Sequence, residues 1–385
     1  MSRTLLLQHV LGQPSWTITS RDVKLSVTRT GGQVAPVVFE RRGRKIEPYS
    51  IAPWYDEKVA TDLPPLLKVL RGDFFCLPFG ANDKLYRGEQ HPPHGETANR
   101  NWSFVSHEKS ASFTELRLRL NTRQRKGSVD KMIRLIDGHN VVYSRHVILA
   151  EPGPMCFAHH AMIKFPDEPA SGLISTSRFV YGQVFPEPAE LPENRGYSIL
   201  KPGAEFKSLK RVRTITGQTT DLSVYPARRG YEDIVKIISD PATDFAWPAV
   251  TFPKQRYVWF ALKDPRVLTG TVLWISNGGR HYEPWNGRHT NVMGLEDATC
   301  YFPYGLAQSA RSNPFSKRGY KTVLRLRRNH PLTVNYITGV APITSAFDRV
   351  RSIRPLRSAI RLTAKSGKRI EVPVDVDFLN GSIGE

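Results

Sequence analysis

The chain has 385 residues, 40% of them hydrophobic and 23% charged, a globular balance that excludes a disordered or fibrous polypeptide. Its formal net charge is +20, which leaves room for an anionic partner but says nothing of the fold. Cys76, Cys156 and Cys300 are odd in number and far apart, which excludes a disulfide framework and a zinc site built on thiolates.

At the amino terminus, Leu5-Leu6-Leu7 is too short an apolar run for a secretory signal, and no segment has the length to span a bilayer. The expectation is a soluble cytoplasmic protein with no membrane partner. Strand signals begin with Lys24-Leu25-Ser26-Val27-Thr28, which alternates and stops at Gly31-Gly32. Arg41-Arg42-Gly43-Arg44-Lys45 reads as a hairpin tip. Arg117 and Arg119 alternate with Leu116, Leu118 and Leu120, the period-two pattern of a strand with one wet face.

Residues 132–136 meet a turn at Asp137-Gly138-His139-Asn140, and residues 141–149 follow as a β-branched run, which predicts a hairpin. Residues 186–194, with Pro186, Pro188 and Pro192, read as a long loop, after which strand patterning is expected from Tyr197. Residues 271–276 form an apolar strand ended by Asn277-Gly278-Gly279. Arg325 and Arg327 alternate with Leu324 and Leu326, and a last hairpin is predicted around Lys365-Ser366-Gly367-Lys368. The 29 prolines and 28 glycines are spread throughout and shorten any helix. The fold expected is all-β: one large antiparallel β-sandwich over residues 1–385, with few short helices. Because much of the basic charge falls on the wet side of strands, no nucleic-acid partner is expected.

Four places gather polar groups that a sandwich does not need for stability alone. They are Arg71-Gly72-Asp73 running into Pro78-Phe79-Gly80, the element from His94 to Trp102, His159-His160 inside the apolar run 155–165, and Gly294-Leu295-Glu296-Asp297-Ala298. On a strand His159 and His160 point to opposite faces, so one of them at most looks into a site. His281 and His289 are widely spaced and lack an obvious third ligand, so no metal site is expected.

The order of these elements resembles the aldose 1-epimerase (galactose mutarotase) family, in particular its hexose-phosphate mutarotase branch. Arg71 and Gly72 lead into the Pro-aromatic-Gly turn, and His94, Gly95, Asn99 and Trp102 fall in register with the family's His-Gly element. His160 takes the strand histidine position and Glu296 that of the late carboxylate. The resemblance implies a mutarotase-like supersandwich and an enzyme that interconverts the anomers of an aldose or sugar phosphate without metal or organic cofactor. It implies Glu296 as base, His160 as acid and His94 near the ring oxygen. Arg71, Arg100 and Asn99 would bind substrate groups, and Trp102 or Trp285 would offer a ring face to the sugar. The sequence departs from the family where Ala98 replaces an arginine, where Glu96-Thr97 replaces a phenylalanine, and where Asp297 follows the late carboxylate in place of proline. Those departures make a non-catalytic carbohydrate-binding member of the same superfamily the alternative.

Overall fold

In the computed structural model, which describes residues 5–40 and 43–381, the alternating segments assemble into two large antiparallel sheets. Arg41 and Arg42 of the expected hairpin tip lie outside the described residues. The predicted hairpin is present as Gly127–Ile136 paired with Val141–Ala150, with Gly138 in the left-handed region its turn requires. Nine strands form one sheet, whose centre is Tyr257–Lys263, Leu332–Pro342, Val141–Ala150 and Gly127–Ile136. Seven form the other, in the order Glu205–Phe206, Phe179–Val184, Tyr231–Ser239, Gly270–Asn277, Val292–Thr299, Phe157–Lys164 and Phe75–Cys76.

The three central strands of the seven are buried along their length except for Tyr231 at one end, because both faces of this sheet are covered. One face packs on the nine-stranded sheet, and the other floors a cleft. The strand patterning expected from Tyr197 onward is replaced by loops and two-residue strands up to Tyr225, with an isolated bridge from Tyr197 to Tyr231. Two of those short strands edge the large sheets, Glu205–Phe206 on the seven-stranded one and Val224–Tyr225 on the nine-stranded one, while Glu187 and Ala189 of the loop before them line the cleft. Helices are short, the longest α-helices having five residues.

A separate three-stranded sheet, Val350–Pro355, Ala359–Ala364 and Arg369–Pro373, follows the last strand of the nine. Its Ile353, Ile360, Leu362 and Val372 form a second apolar cluster with Tyr143, Phe260 and Ile337 of the nine-stranded sheet.

Strand alternation divides the middle of the seven-stranded sheet into two chemistries. Across its cleft face His160 stands opposite Glu296, Glu296 opposite Val272, and Val272 opposite Lys236. Across the sandwich face His159 stands opposite Asp297, and Asp297 opposite Thr271. Asp297 is fully buried there, paired with the Lys263 ammonium and accepting from Thr271 Oγ1 at 2.6 Å and the Tyr336 hydroxyl at 2.8 Å. His159 stacks on Tyr336 with centroids 4.1 Å apart and meets Asp73 Oδ2 at 2.8 Å. Buried charge of this kind persists only when paired and hydrogen-bonded, as Asp297 is.

Candidate active site

The cleft over the seven-stranded sheet has a volume of about 430 Å³, within the ordinary range for small-molecule sites. His94, His160 and Glu296, drawn from three distant segments, all line it. His160 Nε2 lies 3.2 Å from Glu296 Oε1. The His160 ring stacks on Phe74 with centroids 4.5 Å apart, which fixes its plane. Gly294, two residues before Glu296 on the same strand face, has a local cause: a Cβ there would sit 2.6 Å from Glu296 Oε1, so its bare Cα leaves space for the carboxyl.

His94 enters from a turn. It takes a left-handed conformation (φ 57°) and Gly95 follows at φ 76°, where a Cβ would strike the Leu77 carbonyl. That close approach seats the His94 ring, 5.1 Å from that of His160, between Phe74 and Phe79. Its Nδ1 faces Cys76 Sγ at 3.4 Å, leaving Nε2 as the nitrogen free to meet a ligand.

Arg280, which the sequence reading did not single out, is the cation of the cleft wall. Its guanidinium lies over Trp274 at 5.1 Å and Trp285 at 4.8 Å, and its Nε is 3.1 Å from Glu190 Oε1. Glu232 lies 3.9 Å from it and accepts from Trp274 Nε1 and Ser276 Oγ. The signal was faint: an arginine directly after the Asn277-Gly278-Gly279 turn, with Trp285 five residues on.

Burial governs the protonation of these groups. The Glu296 carboxyl is pushed up to about 8 by loss of solvent, against the pull of Arg280 and of Lys236. Burial holds His160 well below its ordinary value, with the charges of His94 and Arg280 acting in the same direction. His94 is pushed down to about 4 by burial and then by Arg280, and burial raises Glu232 to about 7. At neutral pH the pair therefore holds one proton, on Glu296, beside a neutral imidazole.

Four of the expected substrate-binding residues stand elsewhere. Arg71 is fully buried and spends its guanidinium on the carbonyls of Val69 (2.9 Å), Val10 (3.3 Å) and Leu11 (2.9 Å), tying the amino-terminal hairpin to the loop before the cleft. Asn99 donates to the carbonyls of Pro93 and Gly95 and accepts from Leu66 N, so it knits together the loops that carry His94 and the cleft residue Leu66. Arg100 is held by Glu96 Oε1 (2.9 Å) and the Asn121 carbonyl (2.6 Å), and Trp102 is a core ring whose Nε1 donates to Thr97 O. Each satisfies polar groups of the frame, which a buried loop must do. Trp285 does line the cleft, edge-on to Trp54 and Trp274. The departure at Glu96 also has a role in the frame: its carboxylate accepts from the amides of Arg123 and Gln124.

No protein-family model matches the sequence, and no curated protein matches it. Solved structures do match in three dimensions. A Klebsiella pneumoniae protein provisionally named an aldose 1-epimerase superposes with a TM-score of 0.61 at 16% identity, covering 89% of this chain and 83% of that one. An Escherichia coli K12 protein of the same provisional name gives 0.58 at 11% identity, covering 86% and 99%. A galactose mutarotase-like protein from Clostridium acetobutylicum gives 0.57 at 10% identity, covering 89% and 99%. At these identities the likeness establishes architecture. The chain is an antiparallel β-sandwich with the galactose mutarotase-like fold.

Proposed function

We propose that the chain is an aldose 1-epimerase-like isomerase that interconverts the anomers of an aldose or sugar phosphate. The observation that carries this reading is the His160–Glu296 pair, in contact at 3.2 Å inside a cleft that His94 also lines. Ring opening removes the proton of the anomeric hydroxyl and delivers one to the ring oxygen as the bond from C1 to that oxygen breaks. Both oxygens are bonded to one carbon, so the acceptor and donor must be neighbours. Moving the shared proton from Glu296 to His160 yields a carboxylate base beside an imidazolium acid, each worth about 10² to 10⁴ in rate. Rotation about the C1–C2 bond of the open aldehyde and reversal of the two transfers closes the ring on the other face. His94 Nε2 supports the ring oxygen, and Arg280 offers the cleft a cation for an oxyanion or an acidic substituent. Trp285 borders the sugar's apolar C–H surface.

The test is anomer interconversion followed by NMR or polarimetry over a panel of freshly dissolved aldoses and aldose phosphates, with wild type and Glu296→Gln. Acceleration by wild type and its loss in the variant supports the reading; no acceleration of any member of the panel overturns it. The second reading, sugar binding without turnover, is favoured by the apolar part of the lining, where Leu66, Leu67, Leu70, Phe185 and Ile234 offer hydroxyl groups no partner. Saturable binding with unchanged interconversion would support it.

A further inference from the structure

From Arg349 to Arg369 the chain carries eight lysines and arginines and no aspartate or glutamate. This segment builds most of the three-stranded sheet, whose inner face packs on the sandwich through Ile353, Ile360 and Leu362. Alternation then places the cations outside: Arg354 stands opposite Arg361, and Thr363 opposite Arg369. A register shift between Val350 and Ser352 leaves Arg351 exposed as well, while Lys365 and Lys368 crown the hairpin turn. Arg361 is paired with Glu371. Arg351, Arg354, Arg357, Lys365, Lys368 and Arg369 are exposed and have no carboxylate within ion-pair distance among the described residues.

The basic residues of the nine-stranded sheet behave differently. Glu115 neutralises Arg117 and Arg134, and Asp130 pairs with Arg119. Charge is thus compensated on one outer face and left concentrated on the other, where a polyanion would find a field of one sign.

We propose that the outward face of the three-stranded sheet binds a linear anionic polysaccharide. The six-residue central strand gives a stripe roughly 20 Å long, enough for several sugar units in extended form. Arginine forks suit carboxylate and sulfate groups through paired hydrogen bonds. Residues 349–373 contain no aromatic side chain, so the face has no platform on which nucleic-acid bases could stack, and the sheet lies flat against the sandwich, unable to enter a groove. No large apolar side chain is exposed on it to anchor in a lipid surface. This site is independent of the cleft and of its chemistry.

The experiment uses the full chain and a fluorescein-labelled heparin oligosaccharide, with binding followed by anisotropy at several salt concentrations. Saturable, salt-sensitive binding is expected, weakened at least about tenfold by the triple variant Arg351→Glu, Arg354→Glu, Lys368→Glu. The variant Lys207→Glu, Lys210→Glu, Arg211→Glu makes the same change in charge on exposed residues elsewhere and is expected to bind within about twofold of wild type. Unchanged melting temperatures establish that the variants are folded, and Lys365→Glu, Lys368→Glu at the turn serves as a milder second variant. Equal weakening by the two triple variants, or equally tight binding of double-stranded DNA or phosphatidylserine vesicles at the same salt, overturns the proposal.

Discussion

His160 and Glu296 stand directly opposite each other on adjacent antiparallel strands, and their side chains touch across the ladder at 3.2 Å. Residues paired in this way have their Cβ atoms within about 5.5 Å, so backbone register alone brings imidazole and carboxyl together. Phe74 beneath the ring and the bare Cα of Gly294 beside the carboxyl hold the geometry. The pair is set by the sheet, and four predictions rest on it and its surroundings.

Glu296→Gln keeps the shape of the side chain and removes its acid–base chemistry. Anomer interconversion is expected to fall by about 10² to 10⁴. Stability is expected to rise, because the native carboxyl is raised to about 8 from an ordinary value of 4.5. An acid raised in the folded state contributes fully below its unfolded value and loses that contribution as pH climbs through the folded one. Near pH 7 the loss is roughly 3 kcal/mol, which the amide does not suffer. Urea unfolding at pH 7 and pH 5 checks this: a stability gain at pH 7 that shrinks at pH 5 is the expected signature.

The whole chain should be most stable at mildly acidic pH. Glu296, Glu232 and Asp233 are raised by burial to about 8, 7 and 6, so stability falls as pH rises through that range. His94 and His289 are lowered by burial to about 4 and 3, and His146 and His160 lie well below their ordinary value. These imidazoles bind protons only on unfolding, so stability also falls as pH drops below about 6.5. The opposing trends cross at about pH 6, where thermal melting is expected to peak. A peak above pH 8 would contradict the buried protonation states.

Arg280→Gln removes the positive charge that opposes the upward shift of Glu296 and helps keep His94 and His160 neutral. All three groups should then titrate higher, moving the acidic limb of the pH–rate profile upward by about one unit. A fall in rate with no shift in the profile would reduce Arg280 to a packing residue between two tryptophans.

Arg71→Met leaves three backbone carbonyls without their donor in a buried place. A loss of about 3 kcal/mol in urea unfolding is expected, with sugar affinity retained in the folded fraction. Weakened affinity at unchanged stability would return Arg71 to the cleft.

The fold and part of the cleft were legible in the sequence, for different reasons. Strand alternation and turn chemistry announce hairpins such as 127–150, because period and turn are local. Alternation says only that His159 and His160 face opposite ways, the resemblance picks His160 for the site, and the structure places Asp297 on the buried face with His159. Arg71, Asn99, Arg100 and Trp102 were misplaced because a side chain that binds backbone carbonyls is chemically the same as one that binds hydroxyl groups. Only the distant partners, such as Val10 and Leu11 for Arg71, tell the two apart. Arg280 escaped notice since Glu190, Glu232 and Trp274, which define its place, are scattered over nearly a hundred residues.

Two neighbouring dipeptides, His159-His160 and Glu296-Asp297, each send one side chain to the floor of the cleft and its twin into the seam between the sheets. Inserting or deleting a single residue within either strand would therefore exchange the two roles, sinking the reactive pair in hydrocarbon and turning an ion pair outward. The connection between residues 277 and 292, which carries Arg280 and Trp285, is under no such constraint. Descendants of this chain can remodel that side of the cleft by rewriting the loop, while the two strands that carry the His160–Glu296 pair cannot shift by one step.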